Sequence, residues 1–362
     1  MDDGNSSPDI PTDALVDILV RLPPNARRRV RLVCRQWREA VDERAPVDMR
    51  RRGAKILVVD SYGCTDVFST DGSRTNLWRD YAMAGRYKRS SVVGTCNGIL
   101  CLCNDFMPGG AITLANPSTG DAVSLPPLPP PTASVLLYEY CRKSWHQAYA
   151  FACHLTTGRY KVVHVPAHYE SFWEPGTVHV FTLGEASWRD VEAGPSARCS
   201  PGLSSLAAVE GTLYWLTEDA GKIMSFDLDD DRVVPTVPLP VPVKSSRCRL
   251  TKVHARLGVA GEQWSRRYVV EVHGPRQLAV PHFAHGDYVL THGSSEVNGG
   301  VSLYRHKMSG AARVQTGVVQ IRKKDGEEVA RLVHPVYRTF EYVETKESLR
   351  VYKTAFHEMG LW

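Results

Sequence analysis

The residues in this chain that could do chemistry are few, and they are scattered. His282, His285, Asp287 and His292 carry donors that would suit a divalent metal. Their spacing is not that of a built metal motif, and ordinary polar positions in a β-rich segment explain it, so no metal is expected. Cys96, Cys101 and Cys103 form no Cys-x-x-Cys pair; Cys101 and Cys103 alternate onto one strand face and are expected in a core. The sequence has no GxxxxGK[ST] phosphate loop, no GxGxxG turn after a strand, no HExxH helix and no GxSxG elbow. Neither a catalytic set nor a cofactor is expected. The remaining chemistry is recognition. Apolar side chains recur at helical spacing near the N-terminus, and Tyr169, Phe172 and Trp173 lie in a Pro- and Gly-flanked segment suited to holding a substrate.

The elements that must position these residues fall into two kinds. Leu15, Ile18, Leu19 and Leu22 follow the i, i+3, i+4, i+7 rule of an amphipathic helix. Thr12 would cap it, with Asp13 in the first turn where the helix dipole favours an anion. Pro23-Pro24 stops it. Asn25 would cap a second helix with the apolar face Val30, Val33, Cys34, Trp37 and Val41, while Arg27, Arg28, Arg29, Arg31, Arg35 and Arg38 take much of its other surface. Two short helices cannot bury both apolar faces alone, so a partner is implied.

From about Lys55 the pattern becomes short β runs separated by Gly, Pro, Asn and Asp. Strands are expected at Lys55–Val59, Ile99–Cys103, Ile112–Ala115, Tyr149–His154, Tyr160–Val165, Val178–Leu183, Thr212–Leu216, Ile223–Leu228, Tyr268–Val272 and Val314–Ile321. Strand follows strand without helices between, which excludes a doubly wound α/β fold. Cys96-Asn97-Gly98-Ile99-Leu100 is echoed by Val209-Glu210-Gly211-Thr212-Leu213, and each is followed by a polar turn, at Asn116 and at Asp227. The distance from Phe181 to Phe226 fits the roughly 40–50 residues of one four-stranded propeller blade. The expected architecture is a small helical module followed by an all-β propeller of about six or seven blades; packed β-sandwiches are the alternative. Leu125–Pro131 and Pro235–Pro242 would be connections between blades.

Composition bounds the partners. At 362 residues, two or three folding units are expected. With 43% hydrophobic and 23% charged residues, the chain is of ordinary globular composition. Its formal charge of +5 is uneven: residues 1–20 carry five Asp and no Lys or Arg, whereas residues 21–55 carry twelve Lys/Arg against four acids. A globally basic nucleic-acid binder is thereby disfavoured, and the basic stretch reads as a solvated helix face. No stretch resembles a secretory signal or a membrane span. Nine scattered cysteines favour reduced thiols and residence in cytoplasm and/or nucleus.

The N-terminal residues carry a recognisable pattern. Ile10-Pro11-Thr12-Asp13-Ala14-Leu15 through Ile18-Leu19-Val20-Arg21-Leu22-Pro23, then Val30-Arg31-Leu32-Val33-Cys34-Arg35-Gln36-Trp37-Arg38, resembles an F-box, with Arg27 and Arg28 standing where that family carries leucines. The remainder is similar to the plant F-box-associated β-propeller class. Gly94-Thr95-Cys96-Asn97-Gly98-Ile99-Leu100-Cys101-Leu102 is similar to its "GSCNGLLCL" strand, and Asn116-Pro117-Ser118-Thr119-Gly120 with Leu125-Pro126 to its "NPSTxxxxxLP" turn. Gly211-Thr212-Leu213-Tyr214-Trp215 with Ser225-Phe226-Asp227-Leu228 is similar to its "GxLYWL…SFDL" blade. Phe340-Glu341-Tyr342-Val343-Glu344 and Ser348-Leu349 are similar to its closing "YVESLVSL".

The resemblance implies a disordered stretch at 1–8, an F-box at 9–50 and a substrate-binding propeller at 51–362. It implies a non-catalytic substrate receptor of an SCF-type ubiquitin ligase. Pro11, Leu15, Ile18, Leu22, Pro23, Val30, Val33, Cys34 and Trp37 would dock an Skp-type adaptor, and through it a cullin scaffold, while the β domain holds a protein to be ubiquitinated. The alternative is a small-molecule or sugar-binding propeller, or a propeller enzyme, with a degenerate F-box.

Overall fold

The computed structural model describes residues 11–21, 30, 33–34, 36–37, 40, 55–60, 65–69, 73–78, 90–107, 109–129, 145–154, 158–166, 176–194, 197–199, 206–209, 211–217, 222–238, 249–253, 256–260, 268–272, 277–278, 284–285, 288–294, 301–307, 317–321, 327–332, 336–350 and 352. Helix α1 spans Thr12–Arg21. Its first turn is closed by Leu15 N–H donating to the Pro11 carbonyl (3.0 Å). The residue whose carbonyl accepts the first helical bond is the cap. That makes Thr12 the first helical residue and not the cap expected of it.

The strands are β1–β3 at Lys55–Asp60, Thr65–Phe68 and Arg74–Trp78, and β4–β7 at Ser90–Cys96, Ile99–Asn104, Ala111–Asn116 and Asp121–Ser124. Then come β8–β11 at Tyr149–Cys153, Tyr160–His164, Thr177–Thr182 and Arg189–Glu192, and β12–β15 at Leu206–Val209, Thr212–Leu216, Lys222–Asp227 and Arg232–Pro238. β16–β20 cover Arg249–Val253, Arg256–Ala260, Tyr268–Val272, Gln277–Leu278 and Ala284–His285. β21–β25 cover Tyr288–Ser294, Val301–Lys307, Gly317–Ile321, Glu327–Leu332 and Val336–Tyr342.

These strands form a ring of mostly antiparallel sheets. The first sheet has the order β25-β1-β2-β3, and the second, third and fourth, β4–β7, β8–β11 and β12–β15, are four-stranded meanders. The last strand therefore completes the first sheet, with Leu57 opposite Phe340 and Lys55 opposite Tyr342. β25, β4, β8, β12 and β16 pack side by side in that order, so the first strand of each sheet lines the axis. β16–β17 form a hairpin, β18 and β23 pair in parallel, and β19, β20, β21, β22 and β24 make a further sheet. This is the propeller expected, not packed sandwiches.

The first three sheets are covered on both faces, which explains why their central strands read as continuous apolar runs instead of alternating ones. In β5, Ile99, Cys101 and Cys103 face the third sheet, packing with Phe151, Tyr160 and Phe181. Leu100 and Leu102 face the first sheet, packing with Leu57, Phe340 and Tyr342. The third and fourth sheets meet through Val163, Val178 and Val180 against Leu213, Trp215 and Phe226. Val58 and Phe68 meet Leu290 and Leu303 of β21 and β22, which joins the first sheet to the last large one.

Of the expected connection Pro235–Pro242, the first part is instead strand and residues 239–242 lie outside the described residues. Pro235 and Pro238 lie within β15, opposite Met224 and Lys222. β15 is an edge strand, where the missing proline N–H leaves no ladder bond unmade. Leu125–Pro129 does connect the second sheet to the third.

A polar row crosses the third sheet. Tyr149, His164, His179 and Asp190 are successive cross-strand partners. The His164 and His179 rings stack at 5.4 Å, and His179 Nδ1 bonds Asp190 Oδ1 at 2.8 Å. Burial, then the neighbouring His164, pushes the His179 pKa down to about 4 against the opposing pull of Asp190. Unfolded histidine takes up a proton near 6.5, so this group's stabilisation is complete above that pH and is lost as pH falls from about 6.5 to 4. The chain should lose up to about 3 kcal/mol over that window from this side chain. Urea midpoints at pH 7.5 and 4.5 measure it, and His179→Gln should flatten the profile.

Candidate interaction sites

The helical module divides the sequence-predicted docking residues into an inside and an outside. Leu15 and Leu19 are fully buried against Ala40, with Val16, Val30 and Trp37 packed around them. Leu15 is thus packed in the core of the module, because helix α1 turns its Leu15–Leu19 stripe onto Ala40 and Trp37. Val30 and Trp37 are half-buried on the same core. Ile18 is 46% exposed and Val33 63% exposed, and Pro11 and Cys34 are exposed beside them in sequence. Leu22, Pro23, Arg27 and Arg28 lie outside the described residues. Among the described residues of the module, the exposed apolar side chains are Pro11, Ala14, Ile18 and Val33, each of which a partner can desolvate without opening the Leu15–Leu19 core.

A second surface lies on the propeller. In each meander the loop between second and third strands emerges at the same end as the connection to the next sheet. Hydrogen bonds tie these segments into one belt. His146 N–H donates to Asp105 Oδ1 (2.8 Å), Val165 N–H to the Ala148 carbonyl (2.9 Å), and Cys199 N–H to the Pro166 carbonyl (3.0 Å). Trp215 Nε1 donates to the Ala197 carbonyl (2.7 Å), and Cys199 bridges Thr217.

Phe106 and Met107 stand on this belt, each 49% exposed. Their loop is held firmly. Asp105 Oδ2 pairs with His146 Nδ1 (2.7 Å) and accepts from Ser91 Oγ (2.6 Å), and Tyr149 OH donates to the Gly109 carbonyl. Gly110 has φ +76, and a Cβ there would stand 2.7 Å from Cys103 Sγ and 2.8 Å from Trp145 Cβ. Only glycine fits. Sequence reasoning missed Phe106 and Met107. The available signal was an apolar pair inside a polar, glycine-rich loop between two confident strands.

Tyr169, Phe172 and Trp173 lie outside the described residues; their flanks, Pro166 and Gly176, bound the equivalent loop of the next sheet. His282 and Asp287 also lie outside, and of His285 only the backbone strand is described. His292 is half-buried on β21, where burial pushes its pKa down. Among the described residues no three metal-ligating side chains converge. Cys101 and Cys103 are buried, and burial pushes the Cys101 thiol pKa up. No described helix is long and apolar enough to cross a membrane.

Sequence comparison agrees with this two-part layout. A KIB1-4 beta-propeller model matches residues 67–332 and an F-box-like model matches residues 7–45. The chain belongs to the KIB1-4 beta-propeller family and carries an F-box-like segment ahead of the propeller. It is similar to F-box protein At2g43440 of Arabidopsis thaliana, with 26% identity over 272 residues, 70% of this chain and 61% of that protein. It is also similar to F-box protein At3g07870 (24% identity, 63% of this chain and 60% of that protein) and to F-box protein At1g11270 (25%, 74% and 85%), both from the same plant. The chain spans about three fifths of the length of the first two relatives.

Proposed function

We propose that the chain is the substrate-recognition subunit of an SCF-type ubiquitin ligase. The F-box-like segment would dock an Skp-type adaptor, and through it a cullin scaffold, while the propeller holds a protein target. The observation that carries this reading is the exposure of Ile18 and Val33 on a module in which Leu15, Leu19 and Ala40 are already buried against one another. A surface left over after the core is filled is one that a partner covers. The helical unit spans 9–50 and the propeller 51–362 in this reading.

The layout suits the task. The chain enters the first sheet at Lys55, which pairs with Tyr342 and whose Nζ meets Glu344 at 2.5 Å. That is the end opposite the Phe106–Met107 belt. Adaptor and target would then occupy separate ends of the molecule, and the receptor contributes effective concentration to a ubiquitin transfer carried out elsewhere in the ligase. It performs no bond chemistry itself. Nine cysteines scattered without a dense framework suit a reducing compartment, and we propose residence in cytoplasm and/or nucleus. Co-purification of the chain with a recombinant Skp-type adaptor tests the reading; absence of a complex at micromolar concentrations would reject it.

A further inference from the structure

Past its last strand the chain runs on across the sheet ends nearest Lys55, and the neighbouring sheets grip it closely. It first passes the turn between β4 and β5. Gly98 has φ +80, and a Cβ on it would stand 2.3 Å from the Val343 carbonyl oxygen and 2.8 Å from Thr345 Cγ2. Asn116 Nδ2 then donates to the carbonyls of Thr345 (3.1 Å) and Glu347 (2.6 Å). Asp121 accepts from Ser348 Oγ (2.9 Å), Leu349 N–H (3.3 Å) and Arg350 Nε (2.9 Å). From the third sheet, Tyr160 OH donates to Glu347 Oε2 (2.5 Å). Leu349 is fully buried in the core between second and third sheets, and Tyr352 packs on the same cluster.

None of these bonds is strand pairing. The segment's main chain is held by side chains of the second sheet, as a bound peptide is held in a groove. Its anchors are spaced like a peptide's too, with Thr345 and Leu349 inward and Glu344, Lys346 and Arg350 outward. Arg350 and Ser348 hold the Asp121 carboxyl below the usual carboxylate range, so the socket is charged at neutral pH.

We propose that residues 343–350 with Tyr352 are a latch following β25: a peptide seated in a groove formed by Gly98, Asn116, Asp121, Tyr160 and the Leu349 pocket, which closes the ring across three sheets and binds in trans as it does in cis. Pairing of β25 with β1 closes only the first sheet; the latch carries the closure on to the second and third.

In the full chain, combining Asn116→Ala with Asp121→Ala removes five hydrogen bonds to the segment. Trypsin cleavage after Lys346 and Arg350 should then rise at least tenfold while cleavage elsewhere keeps its rate. Gly98→Ala should do the same by displacing the Val343 carbonyl. A chain ending at Tyr342 keeps every described strand, and it should take up a synthetic peptide of residues 343–356 saturably and recover its melting temperature. The same peptide with Leu349→Asp should not bind. If the shortened chain does not fold, the protease rates decide alone. Equal tail cleavage in wild type and double variant, or equal binding of the two peptides, would overturn the latch.

Discussion

Ile18→Asp is expected to weaken adaptor capture about 100-fold, equivalent to 2–3 kcal/mol, while leaving helical content and melting temperature within error of wild type. Ile18 is 46% exposed, so the new carboxylate costs the free protein little. At an interface the same carboxylate would be buried without a partner, and that penalty is large. Val33→Asp should act alike, being 63% exposed. Leu15→Asp is the contrasting variant. Leu15 has no exposure, so a charge there must break the Leu15–Leu19–Ala40 core, and both helicity and adaptor binding should be lost. Titration calorimetry or interferometry, paired with circular dichroism, separates the two outcomes. If Ile18→Asp and Val33→Asp both bind as wild type does, the docking face has been misplaced.

The second large effect concerns the other end of the molecule. Replacing Phe106 and Met107 together by Asp should reduce capture of a protein target at least tenfold without changing the melting temperature, because both side chains are half exposed on a loop fixed by other residues. Gly110→Val should instead lower stability by several kcal/mol. It places atoms within 3 Å of Cys103 and Trp145 and forces a β-branched residue to positive φ. Target capture measured against the intact protein, with thermal melts beside it, distinguishes a contact residue from a scaffold one. A double variant that binds its target normally would move the target site off this loop.

These variants also mark where the sequence was legible. All ten expected strands are present, because strands buried on both faces make apolar runs such as Ile99-Leu100-Cys101-Leu102-Cys103. The strands that escaped notice lack that signature. Two of the inner strands, Ser90–Cys96 and Leu206–Val209, are built mostly of small residues and read as weak segments. Outer strands are short and polar, as in Arg189–Glu192. In the helix, periodicity identified the apolar positions but not their direction. Leu15, Ile18 and Leu19 share one stripe, and only the packing of Ala40 and Trp37 against α1 decides that Leu15 and Leu19 turn inward and Ile18 outward. The Asn116–Asp121 turn was legible as a motif, yet its task of holding Thr345 to Arg350 depends on contacts across more than two hundred residues.

The central claim is a division of labour, with an adaptor-docking module ahead of a target-holding propeller. Its most direct measurement is the binding of the purified full chain to a recombinant Skp-type adaptor, followed by light scattering coupled to gel filtration. The expected result is a one-to-one complex that forms with wild type and with Phe106→Asp/Met107→Asp, and is lost with Ile18→Asp. No complex with the wild-type chain, or one that Ile18→Asp leaves intact while Phe106→Asp/Met107→Asp abolishes it, would contradict the account.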